Sequence, residues 1–351
     1  MPAPADRRIL DLFGIDLPVI QAPMAGATSV EMVIAVSEAG GLGSLPGAMY
    51  SAAQLRDALV AIRAKTSRPI GANFFCHEPP AGEASRLAAW RERLAPYYAE
   101  FGLDAAATES TSRRQPFDEN ACAVVEALRP DVVSFHFGLP AAPLVERVKR
   151  AGAKVISSAT TVAEARWLDA RGVDAIIAMG VEAGGHRGNF LGDDMTIEIG
   201  TFALAPHIVA AVDVPVIAAG GIVDRRGVVA ALALGASAVQ VGTAYLFTPE
   251  AKIHTVYRRA LAEAARTTAL TNVFSGRPAR GIVNRLMRDL GALSDLPPAF
   301  PLASDAIAPL RRAAEAAGRD DFSSLWAGEA FARAKPMSSA ELTRVLGGQD
   351  A

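Results

Sequence analysis

Cysteine is almost missing from this chain of 351 residues: only Cys76 and Cys122 occur. They stand far apart and in no CxxC pattern, which excludes a disulfide framework and a thiolate zinc site and fits a reducing cytoplasm. No HxxxH pair or carboxylate cluster suggests another metal, so no metal is expected. A dominant charge is missing as well. Lys and Arg total 35 against 37 for Asp and Glu, a formal net charge of -2. With no block of one sign, nothing marks a nucleic acid or an anionic membrane as partner, and a small molecule is the expected one. Long apolar runs are absent too; none approaches the roughly 20 residues of a membrane span. The first residues, MPAPADRRILDLFGIDLP, lack the apolar core of a signal peptide, so the expectation is a soluble, unprocessed cytoplasmic protein.

What is present is 51% hydrophobic residue, enough for a large core. Short apolar runs recur: LPVIQAPM, GGLGSLPG, RPIGANFF, DVVSFHFG, AKVISSAT, DAIIAMG, VPVIAAGG and ASAVQVGT. Most are followed by amphipathic helical stretches such as SAAQLRDALVAIRAKT and TVAEARWLDARG. Runs apolar on both faces, alternating with helices and eight in number, predict an α/β fold, a TIM (β/α)8 barrel, ahead of a doubly wound sheet. Two stretches break the repeat. Residues 77–118 read as an enlarged loop with two helical patterns after the third strand. Residues 246–315 read as a small, mainly helical lobe at the barrel mouth, leaving 1–245 and 316–351 as the barrel, with FSSLWAGEAFARAK as its closing helix.

In such a barrel the strand C-terminal ends form the functional face. There lie Met24, Asn73, His136, Met179, Gly220 and Gly221, and the run Gln240, Val241, Gly242, Thr243. Glycines ending the seventh and eighth strands fit a phosphate cradle, where free backbone N–H groups and helix N-termini meet an anion; tight turns are the plainer reading of each alone. Asn73 is suited to a heteroaromatic ring or to closing a turn. His136 alternates with Phe135 and Phe137. If both phenylalanines face the helices, His136 and Ser134 face the interior, as catalyst or as satisfied core residue. The loop VEAGGHRGNF at 181–190 places His186 among glycines, where a ligand can approach the backbone. GGLGSLPG is not a dinucleotide turn, because no acidic residue follows at the required distance. Cys76 and His77 read as local packing.

These segments together resemble a known family. QAPMAG, GANFF, SFHFGLP, EAGGHRGNF, AAGGI, QVGT, SGRPARG and SLWAG, in that order, are similar to the FMN-dependent nitronate monooxygenases, class I in particular. The resemblance implies FMN contacts at Met24, Asn73, Met179, Gly184, Gly220, Gly221, Gln240, Val241, Gly242 and Thr243. It also implies an active-site histidine at His186 and a second at His136. One position departs: Met179 stands where the family usually carries glutamine. The implied reaction is oxidation of an alkyl nitronate, such as propionate 3-nitronate, by dioxygen through a flavin semiquinone, releasing a carbonyl compound and nitrite in a detoxifying role. Arg187, Arg277 and Arg280 are candidates for a phosphate or carboxylate, or are structural. Two alternatives share parts of this reading: an NAD(P)H-dependent flavin reductase of quinones or enoyl thioesters, and a non-redox barrel holding a phosphorylated metabolite. Monomer and homodimer both remain open.

Overall fold

The computed structural model describes residues 6–104 and 114–349. Eight parallel strands form one sheet: β1 (Val19–Gln21), β2 (Gly43–Pro46), β3 (Ile70–Phe75), β4 (Val132–His136), β5 (Lys154–Ala159), β6 (Ala175–Met179), β8 (Val216–Ala219) and β9 (Ala238–Val241). Their order, β1-β9-β8-β6-β5-β4-β3-β2, is closed just before β2. There Leu42 N–H donates to Val19 O at 3.0 Å and Gln21 N–H to Leu42 O at 2.9 Å. The predicted barrel is what forms.

Alternation along each strand divides two apolar layers. Val133, Phe135, Ile176, Ala178, Val239 and Val241 pack outward against the helices. Val132, Ile156, Ala175, Ile177, Ile217 and Ala238 fill the interior, together with Ile9 and Phe13 of the N-terminal helix Arg8–Phe13. Strands buried on both sides have no polar face, which is why they read as continuous apolar runs. Side-chain oxygens cap many surrounding helices, among them Ser29, Asp118, Thr161 and Asp224.

The two irregular stretches build one lobe. Trp90, Leu94 and Tyr98 of the helix Ala84–Glu100 share an apolar cluster with Val273, Leu286, Ile307 and Leu310. Where two helical patterns were expected around ASRLAAWRERLAPYYAEFG, a single helix, Ala84–Glu100, spans most of that stretch. The later stretch is less helical than expected. It carries β10 (Thr268–Thr271) and β11 (Ala279–Ile282), which join the two-residue strand β7 (Gly185–His186) in a small antiparallel sheet.

FSSLWAGEAFARAK does not close the barrel. It is irregular, with turns, a single bridge at Trp326 and one 3-10 turn, Phe331–Arg333. The closing helix is Ser339–Gly347, packed against Val30–Glu38 and Arg225–Ala233. Its signals stood in the sequence: Ser338 accepts from Glu341 N–H at one end, and Gly348 takes φ 84° at the other.

Candidate active site

The strand ends open into a cavity of about 460 Å³. Its walls include Met24, Asn73, His136, Met179, Gly184, His186, Gly220, Gly221, Gln240, Gly242 and Thr243. Of the expected FMN and histidine positions, Val241 alone is not in the wall; the candidate arginines Arg187, Arg277 and Arg280 lie outside it too. Val241 is the outward member of the β9 alternation and lies in the helix-facing core.

His136 ends β4 on the interior side, as the alternation requires, and Phe135 faces the helices. Phe137 does not follow its neighbour. It leaves the strand at φ 70° and packs beside Phe75, 4.9 Å between ring centres, so the pattern of period two ends one residue earlier than expected. The His136 ring nitrogens have distinct partners: Nδ1 is 2.7 Å from Ser158 Oγ, and Nε2 is 3.1 Å from the His186 carbonyl oxygen. A carbonyl only accepts, so Nε2 carries the proton and Nδ1 accepts the serine hydroxyl. Burial pushes this imidazole down to about 3, so it is neutral.

His186 is presented by the small sheet, where it pairs with Ala279 while Gly185 pairs with Arg280. Its Nε2 lies 2.8 Å from Ser275 Oγ, and Nδ1 has no partner among the described residues. Phe300 and Trp326 stand 5.2 and 5.3 Å away, ring centre to ring centre. Burial, followed by the charge of Arg114, holds His186 well below its ordinary value, so it too is a neutral ring. Gly188 passes close by. A Cβ there would lie 2.6 Å from Ser158 Oγ and 3.0 Å from His136.

Across the cavity, Gly220 and Gly221 adopt φ 119° and 70°, turns that side chains disfavour. Among the described residues, the N–H groups of Gly221 and Gly242 meet no protein acceptor. Asn73 Nδ2 donates to Ser134 O and Oγ at 3.1 and 2.9 Å, leaving Oδ1 unpaired within the described protein. Thr243 Oγ1 accepts Gly328 N–H at 3.0 Å, closing the SLWAG segment over the cavity rim.

The family model described as nitronate monooxygenase matches residues 6–347. The chain belongs to the nitronate monooxygenase family. Relatives named nitronate monooxygenase are 44% identical in Paraburkholderia phytofirmans, over 97% of this chain and 94% of that one, and 42% identical in Pseudomonas aeruginosa, over 97% of both. Among solved structures, a nitroalkane oxidase from Streptomyces ansochromogenes is 36% identical with a TM-score of 0.88 over 97% of both chains. FabK from Thermotoga maritima is 28% identical with a TM-score of 0.73, over 97% of this chain and 94% of that one. As a member of the nitronate monooxygenase family, the protein is an oxidoreductase.

Within this nitronate monooxygenase barrel the three candidate arginines separate. Arg187 is wholly buried, paired with Glu198 and donating to Met179 O and Gly180 O at 2.7 and 2.8 Å. Arg280 donates to Val181 O at 2.7 Å and pairs with Glu329 at 2.9 Å. Both tie the His186 loop to its surroundings. Arg277 lies over the Phe137 ring at 4.1 Å, donates to Asn189 O, and keeps Nε buried without a partner. His77 packs edge-on against Phe300 at 4.8 Å, and burial lowers it to about 4. The residues around the histidines that the sequence did not single out, Phe300 and Arg114, come from the two irregular stretches, where no periodic pattern marks an inward face. Ser158 and Ser275 carried a signal, one at a strand end and one in SGRPARG.

Among the described residues, no helix is long and apolar enough to cross a bilayer. No metal-ligand cluster occurs among them either.

Proposed function

We propose that this protein binds FMN in the cavity and oxidises alkyl nitronates with dioxygen, releasing a carbonyl compound and nitrite, with propionate 3-nitronate as substrate. The observation that carries the reading is the neutral His186 ring. Its Nδ1 is unpaired within the described protein, and it sits in an aromatic chamber with guanidinium groups nearby.

The residues present fit the cofactor. Unpaired N–H groups at Gly221 and Gly242 follow β8 and β9, the usual phosphate position in this fold. Asn73 Oδ1 and the Gln240 side chain, which has no hydrogen bond within the described protein, offer polar groups to a flavin ring. Met179 supplies no amide; its thioether offers a soft apolar contact. When bound, FMN supplies the electron-accepting ring.

The chain's own groups then act on the substrate. A nitronate is already deprotonated at carbon, so His186 need not remove a proton; with the Ser275 hydroxyl turned from Arg277 O to donate to Nε2, the ring's single proton is on Nδ1, which donates a hydrogen bond to the nitro oxygens. A ring whose proton affinity is depressed by burial suits that task, and it is a weak base towards a neutral nitroalkane. Phe75, Phe137, Phe300 and Trp326 exclude water around it, which strengthens each polar contact.

The test is an oxygen-free visible spectrum of the FMN-loaded protein with propionate 3-nitronate, beside a sample given NADH. The reading requires a spectral change with the nitronate and none with NADH. Bleaching by NADH alone would move the protein to the flavin reductases, keeping barrel and cofactor.

A further inference from the structure

The cavity wall carries two arginines that the reaction above does not use. Arg114 and Arg311 both line it. The half-buried Arg114 guanidinium stands 5.9 Å from the centre of the Phe300 ring, and that ring is 5.2 Å from His186. One of its N–H groups donates to Ser304 Oγ at 2.7 Å. Among the described residues, no acceptor takes the others.

Arg311, half-buried on the helix Ala303–Ala316, has no hydrogen bond or ion pair within the described protein. Glu315, one turn along the same helix and also in the wall, accepts instead from Ser323 Oγ at 2.8 Å. Burial and then the Arg311 charge lower the pKa of Arg114, with Asp305 opposing. Two like charges in one partly desolvated wall repel each other, and an anion between them would remove that cost.

We propose that Arg114 and Arg311 form a subsite for a carboxylate on the substrate, at the end away from the nitronate carbon. The inference rests on the nitronate reading above and names the residues that select within that substrate class. A planar guanidinium matches a carboxylate with paired N–H donors. Phe75 and Trp326, which line the cavity 6.5 and 5.3 Å from the His186 ring, centre to centre, offer an apolar surface to the carbons joining the two anionic ends.

The experiment compares wild type with Arg114→Gln, Arg311→Gln and the conservative Arg114→Lys. The kinetic readout is kcat/KM for propionate 3-nitronate relative to propyl 1-nitronate, which has the same chain length and no carboxylate. Each glutamine variant should lower that ratio about 10- to 100-fold, mainly through KM, since a charge-assisted bond is lost. Arg114→Lys should keep part of it. An equal change with both nitronates, or none, overturns the subsite.

A second readout needs no turnover. Calorimetry on the same proteins measures succinate, a dianion close in shape to propionate 3-nitronate, against butyrate. Wild type should prefer succinate, and both glutamine variants should lose the preference. If wild type oxidises neither nitronate, the functional reading fails, and the succinate preference still decides the subsite. Its absence in wild type, or its survival in both variants, removes the proposal.

Discussion

The Nε2–H of His136 donates to the main-chain carbonyl of His186 at 3.1 Å, which fixes the tautomer, and Nδ1 accepts the Ser158 hydroxyl at 2.7 Å. The second histidine therefore holds the backbone of the first. This arrangement makes His136 a positioning residue in the proposed mechanism, one that acts through the placement of His186.

Loss of that contact should misplace His186 without emptying the cavity. His136→Ala is expected to lower kcat with propionate 3-nitronate about 10-fold, the scale of one hydrogen bond of roughly 1 kcal/mol or slightly more. Ser158→Ala should lower it less, because the carbonyl bond survives. FMN content, read from the visible spectrum, should stay near one per chain in both. A loss as large as that of His186→Ala would place His136 in contact with the substrate instead.

His186→Ala removes the proposed donor itself. The expected loss in kcat is about 10²- to 10³-fold, as for a hydrogen-bond donor serving developing charge, again with FMN retained. Steady-state oxygen uptake measures it, and undiminished uptake would take His186 out of the mechanism.

Burial holds His136 at about 3, His77 at about 4, and His186 well below 6.5. In the unfolded chain these rings take up protons near pH 6.5. The unfolded state thus binds more protons below that pH, so stability is full above 6.5 and falls as the pH drops towards 4 and 3. Tm measured from pH 7.5 to 4.5 should decline, and His136→Gln should decline less steeply. A wild-type Tm flat across that range would contradict neutral rings.

Gly221 tests the cradle. Its missing Cβ has room, with Glu182 at 3.6 Å as nearest neighbour, yet φ is 70°. Gly221→Ala should fold at a cost of about 1–2 kcal/mol and raise the FMN dissociation constant roughly 10-fold or more, a change of at least 1.4 kcal/mol. Fluorescence titration with FMN checks this; unchanged affinity would move the phosphate elsewhere.

Arg187, by contrast, should matter for folding. It is fully buried against Glu198, whose Oε1 already lacks a partner among the described residues. Arg187→Met leaves that carboxylate uncompensated and should cost about 3–5 kcal/mol, seen as a large fall in the denaturant midpoint. A small fall would show that Glu198 finds water or another partner.

The sequence by itself determined the barrel, because strands buried on both faces must be apolar throughout and the helices between them carry their own caps and stops. It also determined that His136 faces inward and that His186 stands at a strand end among glycines, since period-two alternation and glycine placement are local properties. Tertiary structure alone decided the rest. Pairing His186 with Ala279 joins residues far apart in the chain through main-chain bonds, which leave no side-chain pattern to read. Phe137 turns back at φ 70°, ending the alternation on which its expected direction depended. Arg187 became structural and Arg114 entered the cavity wall because long charged side chains take their direction from whatever partner packing brings near, and that partner is not written at their own position in the sequence.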